Sequence, residues 1–222
     1  MALPIDDNAV FDLMQSDLYS AVIGDILDKM GYRQQTMAAR LRPIYADAVV
    51  VGRAMPMLGM EVYRIPEKYY ELCIESLDSL QPGEVPVITA GGAQSAAFWG
   101  ELLATATRAR GGRGAIVDAY SRDVNQLIRM QFPVFATGIR PTDSLGRIDV
   151  VDYRVPVQCG DVLVNPGDIV FADYDGVVVL PSDAWREAVE LALEKVRGEN
   201  MVREELRKGM KLRDAFTTYG IL

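Results

Sequence analysis

Hydrophobic positions recur at two periods along the chain, and the switches between them mark its elements. From Ser16 to Met30, the residues Leu18, Val22, Ile26 and Met30 share one helical face. Ser16 is placed to cap that helix, Asp17 lies in its first turn and Gly31 is placed to end it, so an amphipathic helix is predicted to open the fold. Arg42 to Met57, with β-branched runs interrupted by Gly52 and Pro56, reads as one or two strands. Tyr69 to Leu80 reads as a helix stopped by Gln81-Pro82-Gly83. A short apolar strand, Val85 to Thr89, then runs into Gly91-Gly92. Helical spacing returns from Trp99 to Arg110 through Leu102, Leu103, Ala106 and Ala109, and Gly111-Gly112 close it. A strand over Gly114 to Asp118, a short helix over Arg122 to Met130 and a strand over Pro133 to Ala136 complete the alternation, which predicts an α/β domain with a partly parallel sheet.

Beyond Thr137 the pattern changes. Val150 to Val157, Asp161 to Val164, Ile169 to Ala172 and Gly176 to Leu180 read as strands without intervening helices, as in a β-rich layer or small barrel. Ser182 to Lys211 is a long charged helix with the stripe Trp185, Val189, Ala192 and Val196 and the i,i+4 pairs Glu199/Arg203 and Glu204/Lys208. It is expected to cover the sheet or a neighbouring subunit. No repeat or linker interrupts residues 1–222, so one domain is expected.

Composition narrows the chemistry. Of 222 residues, 50% are hydrophobic, ample for a continuous core. With 31 acidic residues against 23 basic, the net charge of −8 opposes binding to a phosphate backbone, so nucleic acid is not an expected partner. No run approaches a membrane span, and the opening residues Met1 to Asp7 lack the basic and apolar regions of a secretion signal. Cys73 and Cys159 match neither a metal spacing nor a disulfide framework, which suits a reducing cytoplasm. Histidine is absent, which removes triads, dyads and imidazole-based zinc sites. Lys29, Lys68, Lys195, Lys208 and Lys211 lie in or beside stretches that read as exposed helix, which disfavours a buried Schiff-base lysine. Carboxylates and arginine remain as the tools of any catalysis.

Two places concentrate such groups. Gly91 to Leu103 (GGAQSAAFWGELL) leads through a glycine loop into a helix whose first amides, from Gly100 through Glu101, Leu102 and Leu103, can hold an anionic oxygen; taken alone, the stretch reads first as an ordinary strand–helix turn with Phe98 and Trp99 in the core. Asp118-Ala119-Tyr120-Ser121-Arg122-Asp123 follows a strand. Its Arg122 and Asp123 can supply a planar donor fork and a hard oxygen ligand, or simply a salt bridge and a helix cap. Asp173-Tyr174-Asp175-Gly176 and Pro166-Gly167-Asp168 read as turns, Cys159 as a buried small side chain and the methionines as core filler.

Taken together, Trp99-Gly100-Glu101-Leu102-Leu103-Ala104, Ala109-Arg110-Gly111-Gly112-Arg113-Gly114, Asp118, Arg122-Asp123, Phe132-Pro133-Val134-Phe135, Asn165-Pro166-Gly167-Asp168-Ile169-Val170 and Asp173 through Pro181 recur in order. The chain from about residue 16 to 222 thereby resembles the superfamily of 4-hydroxy-4-methyl-2-oxoglutarate/4-carboxy-4-hydroxy-2-oxoadipate aldolases and RraA-like regulators of ribonuclease E activity. The resemblance implies a layered, swivelling β/β/α domain with a central mixed sheet, flanking helices and a long C-terminal helix, assembled as a trimer or dimer of trimers. It also implies a class II pyruvate aldolase with oxaloacetate decarboxylase activity, dependent on Mg²⁺ or Mn²⁺. Asp123 would anchor the metal, Arg122 would contact the 2-oxo oxygen and Glu101 would position a proton-transferring water. The helix start at Gly100, Leu102 and Leu103 would hold the pyruvyl carboxylate, and Glu199 would approach a neighbour's site. Gln94, Ser95, Ala96, Ala97 and Tyr120 depart from the aldolase wording in pocket-forming segments. The alternatives are a regulator that binds an RNA-degrading enzyme without turnover, and another metal-dependent reaction on an oxo acid.

Overall fold

The computed structural model describes residues 3–221. The chain opens with α1 (Asp7–Asp17), capped by Asp6, and α2 (Ser20–Lys29), and continues through β1 (Arg42–Pro43) and β2 (Val50–Glu61). Next come α3 (Glu71–Asp78), β3 (Glu84–Thr89), β4 (Ala97–Trp99), α4 (Glu101–Ala109), β5 (Ala115–Ser121), α5 (Val124–Met130) and β6 (Val134–Ile139). The last third holds β7 (Ile148–Tyr153), β8 (Val157–Cys159), β9 (Val162–Val164), β10 (Ile169–Ala172), β11 (Val177–Leu180), α6 (Trp185–Arg207) and α7 (Leu212–Tyr219).

Nine of these strands form one mixed sheet in the order β1-β6-β5-β3-β2-β10-β11, with β4 added beside β5 and β7 beside β2. The β2–β3, β3–β5, β4–β5 and β5–β6 pairs are parallel; β10 and β11 extend the sheet antiparallel, and β8–β9 make a separate hairpin. Strand alternation divides the core into layers. On β2, Met55 and Met57 face a cluster covered by Leu77, Ala104 and Leu127 of α3 to α5, and Val51 faces a second cluster with Phe11, Ile23 and Trp185 of α1, α2 and α6. Val50 and Ala54 point the other way, toward Val157, Cys159, Val162 and Val164 of the hairpin. Hairpin, sheet and helices thus stack as β, β and α layers. Because β3, β10 and β11 are buried on both faces, their sequences read as continuous apolar runs.

Several expectations need correction. The helix predicted from Ser16 begins four residues later, as α2 at Ser20: Ser16 and Asp17 end α1 instead of capping and opening a helix, Leu18 keeps the periodicity because it is buried without being helical, and Tyr19 is extended. The start of α2 is held by Asp173, which accepts from the amide (2.8 Å) and hydroxyl (2.6 Å) of Ser20. Gly31, in the left-handed region at φ 93°, ends α2 as expected. Trp99 closes β4 instead of opening a helix. The strands after Thr137 build no separate barrel, since β7, β10 and β11 join the main sheet. Neither expected i,i+4 pair forms on α6: Glu199 pairs with Lys195 (3.6 Å) and accepts from the Tyr19 hydroxyl, and Lys208 pairs with Glu205 (2.8 Å). Lys195 is also not exposed; it is held by Asp25 and Glu199. Burial, then the bond to Glu199, pushes Tyr19 up to about 12. Among the described residues no helix is long and apolar enough to cross a membrane.

Candidate active site

The loop between β4 and α4 and the end of β5 are tied together by backbone. The Arg122 amide donates to the Trp99 carbonyl (2.8 Å), and Trp99, fully buried, stacks on Phe132 with ring centroids 6.4 Å apart. Asp123 follows in the left-handed region (φ 57°), an uncommon state for a residue with a side chain, and precedes α5 without capping it. Its carboxylate turns instead toward α4, where Oδ2 accepts from the Glu101 amide (3.2 Å) and lies 3.7 Å from Arg122 Nε. Gly100 makes this approach possible: a β-carbon there would lie 2.7 Å from Asp123 Oδ2 and 3.2 Å from Arg122 Cγ.

Arg122 is a half-exposed guanidinium between two carboxylates. Nη1 stands 3.1 Å from Asp143 Oδ1, and Asp143 Oδ2 accepts from the Tyr70 hydroxyl (2.8 Å). Among the described residues Arg122 makes these ion pairs but no aligned side-chain hydrogen bond, so its donor fork is open to a ligand. Tyr70 is a second left-handed residue (φ 62°), immediately before α3. Burial and the bond to Asp143 raise its phenol above the ordinary value.

These groups open on a cavity of about 280 Å³ lined by α3, α4 and β7 side chains together with Gly100, Arg122, Asp123 and Asp143. Leu102 and Leu103, both in its wall, carry amides of the first turn of α4, where orphan N–H groups favour an anion. Five of the expected site residues therefore converge: Arg122, Asp123, Gly100, Leu102 and Leu103. Glu101 contributes its amide, but its carboxylate accepts from Thr105 Oγ1 (2.8 Å) and its side chain does not line the cavity. Of the pocket-forming departures Ala97 alone reaches it. Glu199 lies with Tyr19 and Lys195 on the helix layer. Asp118, five residues before Asp123, faces the opposite layer and is engaged by Arg40 (2.9 Å) and the Gly160 amide (2.9 Å). Tyr70, Asp143 and Asp149 are the additions that sequence reasoning missed.

The donor set fits a hard divalent cation. Asp123 is part-exposed, its Oδ1 has no partner among the described residues, and no three acidic or thiol side chains converge there into a closed cage. One or two carboxylates with water and substrate completing the shell is the usual arrangement for Mg²⁺.

Residues 20–179 match the family model described as RraA-like, aldolase/RraA. The chain belongs to the RraA-like family. Among its relatives, protein DlpA of Legionella pneumophila is 26% identical over 97% of this chain, which spans 35% of DlpA's length. A Halalkalibacterium halodurans protein provisionally named 4-hydroxy-4-methyl-2-oxoglutarate aldolase is 27% identical over 78% of this chain and 77% of its own. The crystal structure of Streptomyces coelicolor RraAS2, described as an unusual member of the RNase ES inhibitor RraA family, superposes with a TM-score of 0.77 at 27% identity over 90% of this chain and 98% of that one. The layered mixed-sheet fold is thus that of the RraA-like proteins.

Proposed function

We propose that the protein is a divalent-metal-dependent carbon–carbon lyase that releases pyruvate from a 4-hydroxy-2-oxo acid and decarboxylates oxaloacetate. The observation that carries this reading is the meeting of Arg122, Asp123 and the α4 start at one cavity, with the Arg122 fork unspent on hydrogen bonds. The pyruvyl carboxylate binds at the Leu102 and Leu103 amides. Arg122 donates to the 2-oxo oxygen, which takes up the electron pair as the C3–C4 bond breaks. The C4 hydroxyl loses its proton as the new carbonyl forms, and C3 of the enolate then gains one, both through water in the cavity, since the Glu101 carboxylate is bonded to Thr105 outside it. Arg122 stabilises more charge in that transition state than in the ground state, which is the condition for raising kcat. A cation at Asp123 would add Lewis-acid stabilisation of the same oxyanion.

The same enolate forms in reverse from pyruvate alone. Proton NMR in D₂O should show the pyruvate methyl signal lost to exchange with protein and Mg²⁺ or Mn²⁺ present, halted by chelator and restored by added metal. No exchange above buffer at saturating metal would overturn the reading.

The likeness to RraAS2 supports a second reading, a regulator that binds an RNA-degrading enzyme without turnover. It requires the absence of exchange together with direct binding of the purified chain to such an enzyme.

A further inference from the structure

We propose that Asp149 is the general base that accepts the C4-hydroxyl proton, through one cavity water, as the C3–C4 bond of a 4-hydroxy-2-oxo acid breaks. This rests on the lyase reading above and adds a catalytic residue to it. The cavity wall holds few groups that can take a proton. Burial, then the nearby Asp149 charge, pushes the Cys73 thiol up to about 12, so it stays protonated. Arg122 has no free electron pair, and the hydroxyls of Tyr70 and Ser144 are too weakly basic. Only carboxylates remain. Asp123 is the one assigned to the cation. Asp143 is spent on both sides, with Oδ1 at 3.1 Å from Arg122 Nη1 and Oδ2 accepting from the Tyr70 hydroxyl (2.8 Å). Glu101 is bonded to Thr105 outside the cavity.

Asp149 is different. It sits part-buried on β7 between the core residues Ile148 and Val150, and its charge is felt at Cys73, which lines the same cavity. Its Oδ1 accepts only from the amide of the next residue, Val150 (2.9 Å), and its Oδ2 has no partner among the described residues. Arg64 lines the neighbouring hollow with Asp149 but forms no ion pair among the described residues, so no arginine takes up these oxygens. With the pyruvyl carboxylate at the α4 amides and the 2-oxo oxygen at Arg122, the C4 end is left with the wall of Cys73, Ile74, Ile148 and Asp149. A cavity of about 280 Å³ brings that carboxylate within reach of the C4 hydroxyl through a single water. The step balances without a further reactant. The O–H pair becomes the new C4 carbonyl bond, the C3–C4 pair passes into the enolate held by Arg122, and the proton goes to Asp149, which returns it to water; C3 draws its proton from water. Oxaloacetate has no C4 hydroxyl. Its C3–C4 bond breaks with loss of CO₂, a step that uses Arg122 and the cation site but no base.

The test measures kcat of the intact protein with Mg²⁺ on two substrates: oxaloacetate, by CO₂ release, and the best cleaved of a panel of 4-hydroxy-2-oxo acids, by pyruvate release. In Asp149→Asn, which keeps an acceptor for the Val150 amide, the ratio of retro-aldol to decarboxylation kcat should fall by ~10²-fold or more, the usual share of a general base. Asp143→Asn, which loosens Arg122, should lower both reactions together and leave the ratio near that of the parent. An unchanged ratio in Asp149→Asn, or a selective loss of retro-aldol cleavage in Asp143→Asn instead, would overturn the inference and leave the lyase reading standing. So would a parent protein that decarboxylates oxaloacetate but cleaves none of the panel. A parent protein without pyruvate methyl exchange at saturating metal would overturn both.

Discussion

Two arginine–aspartate clusters grow from the same strand and do opposite things. Asp118, in β5, is 6% exposed, and its two oxygens accept from Arg40 Nε and Nη2 at 2.9 Å and from the Gly160 amide at 2.9 Å; Arg40 reaches on to Asp161. Both Asp118 oxygens are matched within the protein, and the cluster fastens the β8–β9 hairpin to the sheet. Arg122 and Asp123, just past the strand's end, are 36% and 43% exposed and are related by loose ion pairs around a cavity. The same residue types serve the fold where they are satisfied and face a ligand where they are not. Pairing of an arginine with an aspartate therefore says little about role; the partner count of each oxygen and N–H says more.

The two cysteines sharpen this contrast with the largest expected effect. Cys73 lines the cavity and Cys159 lies buried beside Asp118; burial comes first among the causes that raise both thiols, Cys73 to about 12. A folded thiol that keeps its proton to higher pH contributes stability that is complete below its ordinary 9.0 and is lost as pH rises toward 12. Iodoacetamide at pH 8 should label the native protein about 10³-fold more slowly than the unfolded chain, Cys73 ahead of Cys159, as peptide mass analysis would show. Faster labelling of Cys159 would reverse the assignment of open and closed clusters.

Substitution of the aspartates comes next. Asp118→Ala should lower unfolding free energy by about 3 kcal/mol in a denaturant titration, because it strands the Gly160 amide and frees the hairpin. Asp123→Asn, which tolerates the left-handed backbone, should cost less than about 1 kcal/mol, as expected for an exposed pair, and should abolish metal-dependent exchange. Similar stability losses for the two would erase the distinction. Smaller still, Gly100→Ala pushes a β-carbon into the Asp123 carboxylate and should weaken Mg²⁺ activation by roughly tenfold, with a melting point near that of the parent.

Much of this was legible in the sequence. The strand–helix alternation, the glycine-bounded α4 and the Arg122-Asp123 pair are local features, and their signals are periodicity and turn chemistry. What escaped has physical causes. Helix α1 buries only Val10, Phe11 and Met14, too few to stand out among polar neighbours. Strand β4 spans three residues and has no period to read. Asp143 and Tyr70 reach Arg122 from segments on either side of it in the chain, brought there by β7 and α3; Tyr70 is set by a left-handed backbone that an aromatic residue does not advertise. Asp118, which stood in the same motif as Asp123, was assigned by strand alternation to the other layer, a separation that only the register of β5 makes visible.

Whether Arg122 serves the chemistry or only the surface is the question on which the account stands. Steady-state pyruvate release by Arg122→Lys, which keeps the charge and loses the planar fork, should show kcat reduced by ~10²-fold, about 2.7 kcal/mol, with KM changed less. The melting curve should shift by no more than an exposed ion pair allows, within ~1 kcal/mol. An unchanged kcat beside an unchanged melting curve would contradict the account and remove Arg122 from the site.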